Sequence, residues 1–165
     1  MKKIAQFEKV SFKNYNTLGK EYGTKEIYDD IMLPKRMTMG SAGYDFFAPM
    51  DITLKPGETI KVATGIKAWI EEGWVLQIYP RSGFGFQYRL QLDNTVGIID
   101  SDYYNNDSNE GHIFIKLTND GREGKTLEIP KGVAFAQGIF IPFGITVDDN
   151  ADGERVGGLG STTKA

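Results

Sequence analysis

Two aspartates one residue apart, Asp100 and Asp102, end an apolar run in the segment "VGIIDSDYYNND". If both lie on a strand, their side chains point to the same face and repel each other unless an arginine, a metal ion or a proton lies between them. A solvated strand end is the alternative. Because an apolar strand leads directly into these acids, we favour a role in chemistry over a role in packing.

Other polar residues also stand beside predicted strands. In "GSAGYDFFAP", Asp45 lies inside an apolar run, where a carboxylate must be paired or face a polar cavity, unless it forms an Asx turn. In "YPRSGFGF", Arg81, Ser82 and Gly83 follow a strand directly. A guanidinium, a hydroxyl and backbone N–H groups beside glycine are the parts of a phosphate cradle, although they also make ordinary turns. The spacing of a Walker loop is absent.

Two further segments could hold a ligand. Gln137 is a polar residue in the core-like segment "KGVAFAQGIF", and its amide needs partners from a ligand or from neighbouring backbone. In "RVGGLGSTT", backbone N–H groups, hydroxyls and Arg155 could wrap an anion. A disordered polar terminus is the alternative for this last segment.

Composition excludes several kinds of chemistry. The 165 residues include no cysteine and one histidine, with a net charge of −3. Thiolate nucleophiles, disulfides and cysteine-type zinc sites are therefore excluded, and histidine-based triads are disfavoured. The histidine, His112, opens the segment "HIFIKLT" and suits a structural role. The charge provides no general attraction to nucleic acid, so any anion site must be built locally.

Short alternating segments bounded by Gly, Pro, Asn or Asp recur along the chain, and none shows a sustained helical period. We therefore predict a predominantly β domain over residues 1–147, with residues 13–32 as a surface excursion. Residues 148–165, acidic and then glycine-rich, are predicted to form a flexible arm. Because we find neither a signal peptide nor an apolar stretch long enough to span a bilayer, we expect a cytoplasmic protein without a membrane partner.

The five polar segments follow one another in an order that matches a known protein family. "AGYDF", "PRSG", "GIIDSDY", "GVAFAQ" and "GGLGST" follow one another over about residues 31–165. In this the sequence resembles the trimeric deoxyuridine triphosphate nucleotidohydrolase (dUTPase) family. The resemblance implies an all-β distorted jelly roll, or barrel-like sandwich, assembled as a homotrimer with active sites between subunits. The C-terminal arm would close over the bound nucleotide.

The resemblance also implies a reaction. Water would attack the α-phosphorus of dUTP, giving dUMP and pyrophosphate, with Mg²⁺ carried on the triphosphate. This activity limits uracil incorporation into DNA and supplies dUMP for thymidylate synthesis. By position, Asp100 matches the aspartate that activates the water, Arg81 the arginine that pairs with that acid, and Asp45 an acid that meets Mg²⁺ through water.

The same resemblance assigns the substrate-binding positions. Phosphate would be bound by Ser82, Gly83 and Gln137. Uracil would be bound by Asn94, Gly97 and Ile99, in a hairpin that ends at Tyr103, and the Tyr103 ring would lie beneath the deoxyribose. The closing arm would contribute Arg155, Leu159, Gly160, Ser161 and Thr162. The assignment fits the chemistry, because attack of water on phosphorus needs placed donors, a cation and a base but no covalent nucleophile.

The sequence departs from the family pattern at three places. The arm reads Arg-Val-Gly-Gly, one residue shorter than usual. Leu159 stands where many members have a phenylalanine that stacks on uracil, so Phe84 or Phe86 could supply that ring. After Tyr103 a short turn is replaced by the longer "YNNDSNEGH", which we interpret as an exposed loop.

The sequence leaves two alternative functions open. A dCTP deaminase of the same fold would need a glutamate at the cytosine ring, and we find none in a matching motif. A nucleotide-binding regulator or structural jelly-roll protein without turnover is less compatible with Asp100, Arg81 and Gln137 all being present.

Overall fold

The computed structural model describes residues 1–17, 23–155 and 157–158 of the chain. The strands are β1 Ala5–Lys9, β2 Tyr44–Phe47, β3 Ile52–Leu54, β4 Thr59–Ala63, β5 Ile66–Ile70, β6 Trp74–Pro80, β7 Leu90–Leu92, β8 Gly97–Ile99, β9 Phe114–Asn119, β10 Leu127–Ile129 and β11 Ala134–Pro142. The helices are α1 Phe12–Asn16, α2 Lys25–Asp29 and α3 Ser82–Tyr88. A 3₁₀ turn, Ser101–Tyr103, follows β8.

The strands pair into antiparallel sheets that pack over a shared core. One sheet has the order β2-β11-β6-β8 and another the order β4-β9-β7, while β1 pairs with β5 and β10 with β3. The pattern of burial explains the strands: β9 buries Ile115 and Leu117 and exposes Lys116 between them. Leu76 of β6 and Ala68 of β5 belong to the same buried cluster, so the sheets share one core. The predicted all-β jelly-roll class is confirmed.

Two details of the prediction need correction. The sheets formed by the described strands remain separate and do not close into a barrel. The predicted surface excursion is partly core, because it holds the short helices α1 and α2 and buries Tyr15 completely and Ile31 to 7% exposure. Ser11 and Thr24 cap these helices through their side-chain oxygens. The sequence did not predict this packing, because the segment is mostly polar and the few apolar side chains that anchor it have no regular period.

The chain leaves the core after β11. Residues 143–154 are exposed throughout, which agrees with the absence of packing residues in the predicted arm. No helix among the described residues is long and apolar enough to cross a bilayer.

His112 is completely buried at the entrance to β9. Its Nε2 accepts a hydrogen bond from the backbone N–H of Gly65 at 2.8 Å. Gly65 has a φ of +70°, and a Cβ there would lie 2.2 Å from Cδ1 of Ile31, so glycine is required at this crossing. Burial lowers the pKa of His112 from 6.5 to about 4, with Lys61 also lowering it and Glu110 opposing the shift. The folded protein therefore holds a neutral imidazole, as a structural histidine.

We expect the free energy of unfolding to fall on acidification because of His112. The folded pKa of about 4 lies below the ordinary 6.5, so between these values the unfolded chain binds the proton more strongly. This contribution is fully present above about pH 6.5 and is lost towards pH 4, by about 3 kcal/mol. Urea unfolding of the protein and of His112→Gln across this range measures it. The difference between the two proteins isolates this group, and parallel pH profiles would contradict the expectation.

Candidate active site

The first cluster of predicted site residues forms across three adjacent strands. Asp45 of β2 lies opposite Gln137 of β11, and Gln137 lies opposite Tyr79 of β6. Arg81 follows the end of β6, so its guanidinium reaches back across the sheet, where Nη1 donates to Oδ2 of Asp45 at 2.5 Å. The sheet register thus brings together side chains that are far apart in sequence.

Asp45 is 8% exposed and has Arg81 as its ion-pair partner. A carboxylate at this depth needs such a partner, as its position in an apolar run indicated. The side chain of Gln137 donates from Nε2 to the carbonyl of Pro80 at 3.2 Å. Its Oε1 lies 2.8 Å from where a Cβ on Gly43 would stand, so glycine at 43 leaves the room that the glutamine amide occupies.

A cavity of about 260 Å³ opens beside Arg81. Its lining is formed by Arg81, Gly83, Phe84, Gln87, Val133 and Ala134. Ser82 and Gly83 are exposed in the first turn of α3, where backbone N–H groups have no partner within the helix. A guanidinium, a hydroxyl and such N–H groups beside one cavity can bind an anion. Phe86, one of the two candidates for a stacking ring, is 90% exposed, whereas Phe84 lines the cavity.

The second cluster surrounds the two neighbouring aspartates, Asp100 and Asp102. Arg155 bridges them: its Nη2 lies 2.7 Å from Oδ2 of Asp100, and its Nε lies 2.7 Å from Oδ1 of Asp102. Asp100 precedes the 3₁₀ turn and Asp102 lies within it. The two acids therefore do not lie together on a strand, which was the arrangement considered from the sequence. The expected need for an intervening cation is nevertheless met, because the arginine neutralises both carboxylates.

Tyr103 lies beneath this bridge. The Cζ atom of Arg155 is 5.7 Å from the centre of the tyrosine ring, a cation–π distance. Tyr103 is 4% exposed, and its hydroxyl donates to the carbonyl of His112 at 2.9 Å. Burial raises the pKa of Tyr103, so the hydroxyl remains protonated at neutral pH.

The positions predicted for a base-binding hairpin lie on β8 and on the turn before it. Gly97 and Ile99 are buried, while Asn94 is exposed in the preceding turn. A Cβ on Gly97 would lie 3.0 Å from Cβ of Ile78, so glycine allows the close approach of β8 to β6. β8 is the edge strand of its sheet, and half of its backbone N–H and C=O groups point away from β6. After β8 the chain enters the 3₁₀ turn Ser101–Tyr103, at the end of the segment predicted to bind uracil.

Arg81 and Asp100, which the resemblance pairs, do not meet within one chain, so their pairing stays a prediction for sites between subunits. β6 and β8 are antiparallel with Leu76 opposite Ile99, which sets Asp100 beside Val75 at the start of β6. From there β6 runs roughly 20 Å, at ~3.3 Å per residue, before it reaches Arg81. Within the described chain Arg81 pairs instead with Asp45, and Asp100 with Arg155. The two clusters therefore occupy opposite ends of the same strand.

The longer loop after Tyr103 is ordered by its own side chains, an arrangement that was not predicted from the sequence. Asn106 is 7% exposed, and its Oδ1 accepts from the backbone N–H groups of Ser108 and Asn109 at 3.1 Å. Asparagine commonly bonds the backbone two or three residues ahead in turns. The repeated asparagines in "YNNDSNEGH" were the available signal for an ordered loop.

The end of the predicted arm lies outside the described residues. This applies to Leu159, Gly160, Ser161 and Thr162. Arg155 is the member of the predicted arm site that the structure describes.

These features define an antiparallel jelly-roll protein whose guanidinium beside a cavity, and exposed carboxylate held by an arginine, have the chemistry of a site for a nucleotide-like anion. Comparison with known proteins makes the class specific. The profile of the dUTPase family matches residues 29–163. The chain belongs to the dUTPase family.

Individual relatives agree with this assignment. The deoxyuridine 5'-triphosphate nucleotidohydrolase of Lactococcus lactis is 44% identical over 146 residues, covering 87% of this chain and 96% of the relative. That of Nautilia profundicola is 37% identical, covering 85% and 96%. The crystal structure of dUTPase from Streptococcus mutans superposes with a TM-score of 0.66 at 36% identity, covering 87% and 98%. The dUTPase of phage phi11 of S. aureus, 21% identical with a TM-score of 0.64, shares the fold.

We expect Asp45→Asn to lower the free energy of unfolding, because the substitution leaves the Arg81 guanidinium without its buried anion. The side chains of Asp45 and Arg81 are 11% and 39% exposed, so solvent reduces the loss to about 1–2 kcal/mol. Urea unfolding at fixed protein concentration measures it. Asp120→Asn is the matched control, because Asp120 pairs with Arg89 at 3.2 Å with both side chains half exposed. Its change should stay within about 0.5 kcal/mol; equal losses in the two variants would contradict the expectation.

Proposed function

We propose that this chain hydrolyses dUTP to dUMP and pyrophosphate by attack of water on the α-phosphorus. The observation that carries the proposal is an exposed carboxylate, Asp100, at the end of an edge strand, together with a guanidinium cradle at Arg81. Relatives named deoxyuridine 5'-triphosphate nucleotidohydrolase at 44% and 37% identity support it. A dUTP diphosphatase of this kind would act in the cytoplasm on free nucleotide.

Asp100 is the proposed general base. Its side chain is 49% exposed, so a water molecule can reach it. A carboxylate that accepts a proton from water as the oxygen approaches phosphorus needs no covalent intermediate. The second acid, Asp102, shares the arginine with Asp100 and shapes the turn. This division of labour suits a chain without cysteine and with its one histidine buried.

The phosphate chain is proposed to bind at the cluster around Arg81. A guanidinium has five N–H donors, and one of them is used by Asp45, so the others remain available to phosphate oxygens. Ser82 and Gly83 add a hydroxyl and backbone N–H groups, and Gln137 adds an amide. Donors held in place before the substrate arrives stabilise the charge that develops on the leaving pyrophosphate.

The base and sugar are proposed to bind along β8. The outward backbone groups of an edge strand, from Gly97 to Ile99, can pair with the edge of uracil as another nucleobase would. Asn94 closes the near end of this strand. Tyr103 follows directly and would lie beneath the deoxyribose, where a ring leaves no room for a 2′-hydroxyl.

In this proposal Mg²⁺ enters the site bound to the triphosphate of the substrate. Among the described residues no cluster of three or more metal-ligating side chains occurs. Mg²⁺ keeps several of its waters and binds readily through substrate phosphates with one or two carboxylates. Asp45, already paired with Arg81, fits a contact through water to a magnesium carried by the triphosphate.

We further propose that Arg155 and the arm exchange partners on binding. Without nucleotide the guanidinium neutralises Asp100 and Asp102 and covers the Tyr103 ring. A triphosphate offers a denser negative charge, so the arginine would move to it and free the base for water. In this proposal residues 148–165 form the closing arm, including Leu159, Gly160, Ser161 and Thr162, on a domain of residues 1–147.

The active site is proposed to form between subunits of a homotrimer. Arg81 and Asp100 lie at opposite ends of β6, roughly 20 Å apart, which is too far for one phosphate group to bridge. A second copy of the chain that sets its Asp100 end against the Arg81 end of the first would complete the site.

A pyrophosphate-release assay tests the reaction. We expect dUTP to be hydrolysed in the presence of Mg²⁺ and dTTP, dCTP and UTP to be poor substrates. Asp100→Asn should lower kcat by orders of magnitude and leave dUTP binding largely intact, because shape is kept and the base is lost. Ammonia release from dCTP would favour a deaminase. Binding of dUTP without turnover by the unaltered protein would favour a regulator, and undiminished hydrolysis by Asp100→Asn would overturn the role of that residue.

Mixing inactive variants tests whether sites are shared. Chains carrying Arg81→Ala and chains carrying Asp100→Asn should each be nearly inactive alone. Unfolded together and refolded in equal amounts, they should recover about a quarter of the wild-type rate if each site takes these residues from different chains. The matched control mixes wild-type chains with chains carrying both substitutions. No recovery from the mixed single variants, with about half the rate in the control, would show that one chain supplies both residues.

A further inference from the structure

The hydroxyl of Tyr103 has a second partner that the proposed reaction does not use. Nδ2 of Asn109 lies 2.8 Å from it, and the hydroxyl itself donates to the carbonyl of His112. A phenolic oxygen donates one hydrogen bond and accepts others, so the two contacts are compatible only with Asn109 as the donor. Together they fix the outer end of the ring.

The amide of Asn109 is itself held in one orientation. Its Oδ1 accepts from the backbone N–H of Gly111 at 3.0 Å and from Nδ2 of Asn106 at 2.8 Å. A backbone N–H can only donate, so the oxygen must face Gly111 and the NH₂ group must face Tyr103. Asn106 in turn donates from Nδ2 to the carbonyl of Tyr103 at 2.8 Å. The network therefore begins and ends on the same tyrosine.

The segment that carries this network, residues 104–111, is called here the asparagine loop. It is tied to the rest of the domain near both of its ends. Tyr104 donates from its hydroxyl to Glu8 of β1 at 2.8 Å, and Lys67 of β5 donates to Oδ1 of Asn105 at 2.7 Å. Glu110 accepts from the backbone N–H of Ser11 at 2.8 Å. A loop anchored in this way can hold a side chain rigidly.

We propose that Asn109 is a positioning residue for recognition of the sugar, acting through the ring of Tyr103. The inference rests on the proposed function, in which this ring lies beneath the deoxyribose. Rejection of a ribonucleotide requires the ring to stay where a 2′-oxygen would stand. Without Asn109 the ring keeps a single bond at its hydroxyl, to His112, and can tilt away. The asparagine loop, longer than the turn expected from the family pattern, then contributes to substrate selectivity.

Steady-state hydrolysis of dUTP and UTP by wild type, Asn109→Ala, Tyr103→Phe and the double variant tests this inference. We expect Asn109→Ala to reduce the ratio of kcat/KM for dUTP to that for UTP by about three- to tenfold, the equivalent of one hydrogen bond. Tyr103→Phe, which keeps the ring but removes the bonded oxygen, should reduce the ratio similarly. Adding Asn109→Ala to Tyr103→Phe should change the ratio no further, because the shared bond is already lost.

Asn105→Ala is the matched control. It removes an asparagine from the same loop whose side chain contacts Lys67 and not Tyr103, and the ratio should remain that of wild type. An equal fall in kcat/KM for both nucleotides in Asn109→Ala would indicate a structural role only and overturn the inference. If Asn109→Ala does not fold, an unchanged ratio in Tyr103→Phe overturns it instead. If the wild-type protein does not hydrolyse dUTP, both the proposed function and this inference are wrong. If the wild-type protein hydrolyses dUTP and the variants keep its selectivity, only the inference is wrong.

Discussion

The antiparallel pairing of β6 with β8 is the constraint on which the arrangement of the site depends. β6 lies between β11 and β8, and its two ends carry different chemistry. Arg81 follows its last residue, whereas Asp100 lies beside its start, because Leu76 is opposite Ile99. Shifting the register by one residue would turn the buried side chains of β8 to the other face, so the core holds this pairing in place. Regular sheet therefore sets the positions of the proposed base and phosphate donors with the precision that reaction geometry requires.

Charge neutralisation is the second organising feature. In both clusters acids near the proposed site meet a guanidinium: Asp45 meets Arg81, and Asp100 and Asp102 share Arg155. In the first pair the carboxylate is largely buried and Arg81 is partly exposed, whereas in the second the two acids are exposed and Arg155 on the arm is largely buried. This difference fits the proposed roles, because Arg81 presents donors to a phosphate and Asp100 must be reached by water.

Two buried asparagines have their side-chain amides satisfied by backbone groups. Asn106 and Asn119 are each less than a tenth exposed, and they donate to the carbonyls of Tyr103 and Leu54. The asparagine loop, predicted as an exposed loop, is thus held against the domain by its own hydrogen bonds. It connects β1, β5 and the cap of α1 to the segment that contains the proposed base, so parts of the chain remote in sequence support the site.

The sequence by itself determined the class and the residue types. Alternating apolar and polar residues, bounded by turn residues, predicted an all-β domain, because a period of two residues is typical of a strand with one buried face. The ordered motifs predicted the family, and the crowding of Asp100 and Asp102 predicted an intervening cation. Only the tertiary structure decided that this cation is Arg155, that Arg81 pairs with Asp45, and that the loop after Tyr103 is ordered. The reason is physical: local patterns record which face of a strand is apolar, whereas partners across a sheet follow from register and strand order, which are properties of the whole folded chain.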